Sequence, residues 1–306
     1  MLAYALRRLA ILIPTLLVIV TLSFIVIRLA PGGPFDEERS LPPEIKANLE
    51  MVYGLDQPLA VQYGRYLRGL AHGDFGPSIK FRDLSVSELI ARGLPVSVML
   101  GLSAVLAALL AGVPLGIGAA LRRDGVLDRS VRGLAVLGMA LPGFVTGPLL
   151  ALVFGLYLQW LPVAGFSGEA RELVLPVLTL ALPIAAYVTR LTRASLLDVL
   201  HSPYIRTARA KGIGEWRVIV THALRPALTP VVSYLGPAVA FAFTGSLVVE
   251  TVFALPGTGR YLVQGAINRD YGLVMGMIVV YGAVTLLANL ATDLLYGWLD
   301  PRVRYE

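Results

Sequence analysis

Residues 93–121 read GLPVSVMLGLSAVLAALLAGVPLGIGAAL, a run of 29 positions without one Asp, Glu, Lys or Arg. A helix rises about 1.5 Å per residue, so this run is long enough to cross a bilayer core of roughly 30 Å. Five more such runs occur, at residues 9–27, 133–161, 173–189, 226–249 and 271–292. Each approaches or exceeds the roughly 20 apolar residues that a crossing helix needs. In hydrocarbon the backbone must satisfy its own hydrogen bonds, and these runs lack the two-residue alternation of a membrane barrel. The expected fold is an all-α integral membrane protein of six transmembrane helices in one domain, 1–306. The helices are expected at about 9–29, 94–121, 133–160, 173–192, 229–250 and 272–294. A large loop, about 30–92, separates the first two, and a basic loop, about 193–226, separates the fourth and fifth.

Composition agrees. Of 306 residues, 56% are hydrophobic and 15% charged, with a mean hydropathy of +0.73. A soluble domain carries roughly 25% charged residues. So little charge excludes an ordinary soluble enzyme and a disordered chain. Cysteine is absent, which removes disulfides, thiolate nucleophiles and thiolate metal sites. The net charge of +6 would suggest nucleic acid in a soluble protein. Here the basic residues follow the loops, and no nucleic-acid partner is expected.

With the N-terminus placed in the cytoplasm, 15 of the 26 basic residues fall in inside segments. They include Arg7 and Arg8; Arg122, Arg123, Arg129 and Arg132; seven between Arg190 and Arg225; and Arg302 and Arg304. The short outside loops hold only Arg171, Arg260 and Arg269. This bias places both termini in the cytoplasm and loop 30–92 outside. The apolar run after Arg7-Arg8 exceeds a signal peptide's roughly 7–15 residue core, so it reads as an uncleaved first helix. In the outer loop, Pro42-Pro43-Glu44 reads as a helix start, with Ile45, Leu49 and Val52 at helical spacing. A second amphipathic stretch covers residues 59–70. The loop is either a cap on the bundle or a docking surface.

The chain shows no energy source of its own. A proton- or ion-coupled carrier needs an ionisable group inside the bilayer, whereas Arg28, Arg190, Glu250 and Asp293 fall at run ends. None of the three lysines sits in G-x-x-x-x-G-K-[ST], and no hydrolase or metalloprotease motif is present. His72, His201 and His222 are scattered in loops. No catalytic residue, metal site or bound cofactor is expected.

The inside loop holds the sharpest local pattern. Ser202-Pro203 fits an N-cap with proline at the first helical position, and Gly212 and Gly214 fit the stop. Between them lies a two-turn helix whose small Thr207, Ala208 and Ala210 admit a close partner. Arg206, Arg209 and Lys211 supply charge. On the outer side, Leu255-Pro256-Gly257-Thr258-Gly259-Arg260 reads as a tight turn, either purely structural or part of an outer gate.

The run Tyr204-Ile205-Arg206-Thr207-Ala208-Arg209-Ala210-Lys211-Gly212, followed by His222-Ala223-Leu224-Arg225-Pro226-Ala227-Leu228, resembles the signature loop of ABC importer membrane subunits. It is most similar to the B-type membrane subunits of the oligopeptide/dipeptide branch. The general pattern is E-A-A, three residues, G, nine residues, I-x-L-P. Set on Gly212, it finds Arg206 for Glu and Thr207 for Ala. His222 stands in place of Ile, and Pro226 comes one residue late. Similarity extends over nearly the whole chain, through Arg28-Leu29-Ala30-Pro31-Gly32-Gly33, His72-Gly73-Asp74-Phe75-Gly76, Glu250-Thr251-Val252-Phe253, Asn268-Arg269-Asp270-Tyr271 and Leu299-Asp300-Pro301-Arg302.

The resemblance implies a type I ABC importer transmembrane domain in a bacterial inner membrane. It implies a paralogous membrane subunit, two cytoplasmic ATPases holding ATP and magnesium, and an external peptide-binding protein. It makes residues 204–212 the coupling helix that docks on an ATPase. Residues 256–260 become candidates for the outer gate or for contact with the binding protein. Dipeptide, nickel and glutathione importers share much of this wording. A secondary carrier working through Asp293 is the reading of a different class.

Overall fold

A computed structural model describes residues 2–30, 32–35, 42–81 and 83–299. Pro31, the Arg7 and Arg8 side chains, and the C-terminal stretch with Asp300, Pro301, Arg302 and Arg304 lie outside what is described. The described chain is helical: α1 (Leu2–Leu29), α2 (Pro43–Val52), α3 (Leu59–Ala71), α4 (Val86–Leu121), α5 (Val126–Ala140), α6 (Gly143–Leu150), α7 (Ala170–Leu200), α8 (Pro203–Ala210), α9 (Glu215–Arg217), α10 (Leu224–Val252), α11 (Thr258–Ile267) and α12 (Tyr271–Leu299). Helix α6 runs on as π-helix over Ala151–Tyr157, and α9 reaches α10 through π-helix at Val218–Ala223.

Five helices are long and apolar enough to cross a membrane: α1, α4, α7, α9–α10 and α12. The third expected span, 133–160, is not one helix. It breaks between α5 and α6 with a bend of 106°, and the pair counts as a sixth span only if taken together. Leu141 and Pro142 are both extended, at ψ 117° and 145°. A residue before proline is pushed out of the helical region, and proline brings no N–H to the ladder.

Helix α4 begins earlier than its charge-free run because Ser85 and Glu88 form a capping box. Ser85 Oγ accepts from the Glu88 amide while the Glu88 carboxylate accepts from the Ser85 amide. A carboxylate at a helix start is stabilised there, so charge does not mark the boundary.

The centre is the packing of α4 against α7 and α10. Leu100, Ala104 and Ala108 of α4 meet Leu180, Ile184 and Val188 of α7 and Ala238 and Ala242 of α10. Small residues let backbones approach. A Cβ on Gly112 would lie 2.8 Å from the Ala185 carbonyl oxygen, and one on Gly116 would lie 2.6 Å from that of Thr189. A Gly116→Val variant is therefore expected to lose about 1–3 kcal/mol by overpacking, read as a lower melting temperature in detergent. Gly118→Ala, whose new methyl would meet only Leu127 Cδ2 at 3.5 Å, should melt like the parent.

Helix α1 packs on α12 through Val20, Phe24, Met275 and Val279, and α3 joins this cluster through Tyr63, Tyr66, Leu67 and Leu70. The opposite flank of α1 exposes Leu22, Ile25, Val26 and Leu29. Helix α2 starts at Pro43 as expected, but its stripe is not buried: Ile45 and Val52 are exposed. Loop 30–92 thus divides, with α3 packed on the bundle and α2 open on its surface. Asp270 ties this end together. Its Oδ2 accepts from Ser78 Oγ at 2.5 Å and from the Ile79 and Lys80 amides at 2.8 and 2.9 Å, and its Oδ1 accepts from the Leu273 amide that opens α12.

Candidate functional site

At the opposite end of the bundle, Ser202 is extended at ψ 152° and Pro203 takes the first position of α8. The helix stops in a Schellman motif. The Ile213 amide donates to Ala208 O, the Gly212 amide to Arg209 O, and Gly212 sits at φ +76°. That left-handed conformation favours glycine. The stop is set by the glycine that predicted it; at the start Pro203 takes its expected place, but the Ser202 hydroxyl donates back to Val199 O at 2.6 Å and does not cap the helix.

Tertiary packing decides which face is free. Ile205 and Ala208 turn inward and are buried beside Ala120 of α4, Leu196 of α7, and Val218, Ala223 and Ala227 on the way into and within α10. Tyr204, Arg206, Thr207, Arg209, Ala210, Lys211 and Gly212 point outward and are exposed. The expectation that Ala208 admits a partner is corrected: it is a packing residue, and Ile205 with it. Thr207 and Ala210 remain as the small exposed positions.

Arg209 reaches across the turn to Glu215, with Nε–Oε2 at 3.0 Å and Nη2–Oε1 at 2.5 Å. The carboxylate raises the pKa of the Arg209 guanidinium, so that side chain stays charged. Trp216 stands beside the pair at 77% exposure. Sequence reading missed it, although a tryptophan in a polar loop is itself a signal of a surface anchor.

Helix α8 is thus a capped peg wedged against the ends of α4, α7 and α10. A second tie binds the same end. Asp128 of α5 is fully buried and forms a bidentate pair with Arg193 of α7, Nε–Oδ1 2.5 Å and Nη2–Oδ2 2.7 Å. It also accepts from the Asp124 amide at 2.9 Å. A push on α8 therefore reaches α7 directly and α5 through this ion pair.

The glycine turn lies elsewhere, between α10 and α11, and most of it is inside the protein. Gly257, Thr258 and Gly259 are buried, Pro256 is half-buried, and Arg260 is exposed. Glu250 of α10 is fully buried. Its Oε1 accepts from Ser97 Oγ of α4 and its Oε2 from the Gly259 amide, both at 2.7 Å. Ser97 Oγ also accepts from the Thr258 amide at 2.9 Å. A Cβ on Gly257 would come within 2.3 Å of the Glu250 carboxylate, and one on Gly259 within 2.4 Å of Leu247 Cα. The turn is a knot joining α4, α10 and α11, so only Arg260 of the five outer candidates offers a ready surface. Among the described residues no group of three His, Asp or Glu could hold a metal ion.

Residues 112–305 match the family described as the binding-protein-dependent transport system inner membrane component. The chain belongs to that family. It is 49% identical to the oligopeptide transport system permease protein OppB of Escherichia coli K12 over all 306 residues, covering the whole of both chains. It is 44% identical to the dipeptide transport system permease protein DppB of Bacillus subtilis, over 98% of this chain and 97% of that one. Among solved structures, the MetNI methionine ABC transporter in an inward-facing form aligns with a TM-score of 0.59 at 17% identity, over 69% of this chain and 96% of its own. At that identity the likeness speaks to fold: a type I ABC importer transmembrane domain. The permease is a multi-pass membrane subunit of a binding-protein-dependent importer, and the ion-coupled carrier reading falls. The family match starts within α4, whereas the relatives named above align across α1–α3 as well.

Proposed function

We propose that this permease is the membrane subunit through which oligopeptides enter, paired with a paralogous subunit and driven by two cytoplasmic ATPases that hold the ATP and magnesium. The observation that carries the reading is the full-length 49% identity to OppB, joined to a short capped helix standing exposed at one end of the bundle. The DppB likeness keeps the dipeptide as the neighbouring alternative.

In this reading α8 is the coupling helix. Its exposed side, Tyr204, Arg206, Thr207, Arg209, Ala210, Lys211 and Gly212, sits in an ATPase groove. Ile205 and Ala208 fasten it to the bundle. A ligand shifts a conformational equilibrium only by contacting the two states differently. ATP binding on the partners does so through α8, and the ties to α4, α5, α7 and α10 carry the displacement into the spans. The α8 end is cytoplasmic, with both termini, in a bacterial inner membrane. The other end faces an external peptide-binding protein, to which α2 offers Ile45, Met51 and Val52, all exposed, and the α10–α11 turn offers Arg260.

Co-purification in mild detergent tests the partners. A second membrane subunit and ATPases should come with the chain, and peptide-loaded binding protein should stimulate hydrolysis. Recovery of the chain alone, with gradient-driven uptake in vesicles, would refute the reading. Sidedness has its own test. A reporter at Ala47 should be labelled from outside and one at Lys211 only after the membrane is opened; the reverse pattern would overturn the orientation.

A further inference from the structure

At the α3 end, a cavity of about 250 Å³ opens between the last turn of α1, helix α3 and the start of α12. Phe24, Phe75 and Met275 give it an apolar floor, and Arg28, Gln62, Arg65, Tyr66 and Asp74 give it a polar wall. Among the described residues, three atoms of that wall are buried without any hydrogen-bond partner: Arg28 Nε, Tyr66 OH and Gln62 Oε1. Gln62 is only 8% exposed, and its Nε2 donates to Leu55 O and Gln57 O, which fixes Oε1 as the free acceptor. Arg28 is held in place by aromatic rings, with its guanidinium carbon 5.4 Å from the Phe24 centroid and 4.9 Å from that of Tyr271.

Leaving a buried polar group unpaired is costly, so such atoms call for a partner. Three such atoms around one cavity describe a ligand by its complement: an acceptor for Arg28 and Tyr66, and a donor for Gln62. Asp74 adds a carboxylate at the rim, where its Oδ1 already accepts from the Gly76 amide at 2.9 Å. The ligand thus carries an anion toward Arg28 and a hydrogen-bond donor toward Gln62 and Asp74, with Arg65 also on the wall. Position narrows it further. Arg28 closes α1, between the packed Phe24 face and the flank of Leu22, Ile25, Val26 and Leu29 that faces outward. Apolar helix ends of this kind meet the headgroup layer, where long basic side chains settle.

We propose that this cavity seats the headgroup of one phospholipid bearing a primary ammonium, phosphatidylethanolamine in chemistry. The phosphate lies against Arg28 and Tyr66, the ammonium lies toward Gln62 and Asp74, and the acyl chains run down the exposed flank of α1. The bound lipid then joins α1, α3 and α12, so it stabilises the packing of the loop on the bundle.

Native mass spectrometry on the full chain, delipidated and then titrated with phosphatidylethanolamine, tests this. One lipid per chain should be retained above the background seen with phosphatidylglycerol. Arg28→Gln should weaken retention more than about tenfold, as for a charge-assisted bond. Because Arg28 also packs between rings, Tyr66→Phe is the decisive variant. It removes a hydroxyl with no partner among the described residues and should weaken retention about threefold to tenfold, with a smaller lipid-induced rise in melting temperature than the parent shows. Unchanged retention in Tyr66→Phe would overturn the site. Equal binding of soluble glycerophosphoethanolamine would overturn the lipid assignment, and equal retention of phosphatidylglycerol would overturn the ammonium half.

Discussion

Replacing Ala210 by tryptophan is expected to lower peptide uptake at least about tenfold, the equivalent of about 1.4 kcal/mol of lost docking, while the chain still inserts and packs. Ala210 is exposed on α8, so the bundle does not feel the added ring. A partner groove that closes tightly on small residues does, since overpacking a dry contact costs about 1–3 kcal/mol. Ala208→Trp should fail differently. Ala208 lies against Ala120, Leu196 and Val218, so that variant is expected to lose folded protein. Gly212→Pro completes the set. Proline needs φ near −65° where Gly212 has +76°, and it deletes the amide that donates to Arg209 O. Hydrolysis by the partners should continue in Ala210→Trp and Gly212→Pro but no longer drive uptake. Normal uptake in both would remove α8 from the coupling path.

The second large effect is on stability. Arg193→Met should destabilise the permease by about 3 kcal/mol, because it strands a buried charge. Asp128 is fully buried, and Arg193 provides both of its shortest ion-pair contacts; Arg132 lies farther, at 3.5 Å. The double variant Asp128→Leu with Arg193→Met should recover most of that loss, since a buried pair replaced by apolar residues is often near neutral. Thermal melting of the two variants against the parent decides it. A double variant as unstable as the single would mean that the pair positions α5 in a way apolar packing cannot replace.

These two predictions also mark how far the sequence could be read. The spans were legible because hydrocarbon tolerates so few charges, and α8 because its start and stop are chemical: Pro203 and Gly212. Its buried face was half legible. Ile205 and Ala208 stand three apart, but nothing local says that Ala120 and Leu196 wait for them. Asp128 and Arg193 lie 65 residues apart in sequence, and Ser97 and Glu250 lie 153 apart, so no periodicity announces either contact. The burial of the glycine turn was only partly legible. Its composition is that of a surface loop, and Glu250, nine residues before Gly259, and the distant Ser97 draw it inside. The early start of α4 escaped because Glu88 looks like a reason to end an apolar segment, whereas at a helix N-terminus it is a reason to begin one.

The break at Leu141 and Pro142 bears on the elasticity of the bundle. A helix resists bending through its ladder of main-chain hydrogen bonds. Here the ladder stops with the Leu141 amide on Leu137 O and resumes with the Val145 and Thr146 amides on Pro142 O. Between those rungs the two rods are joined by little more than rotatable torsions. The α5 rod is clamped to α7 by Asp128, while the α6 rod is not. Under the proposed coupling role of α8, a torque entering there is spent at this joint instead of being delivered rigidly from α5 to α6, and the two rods swing through different angles.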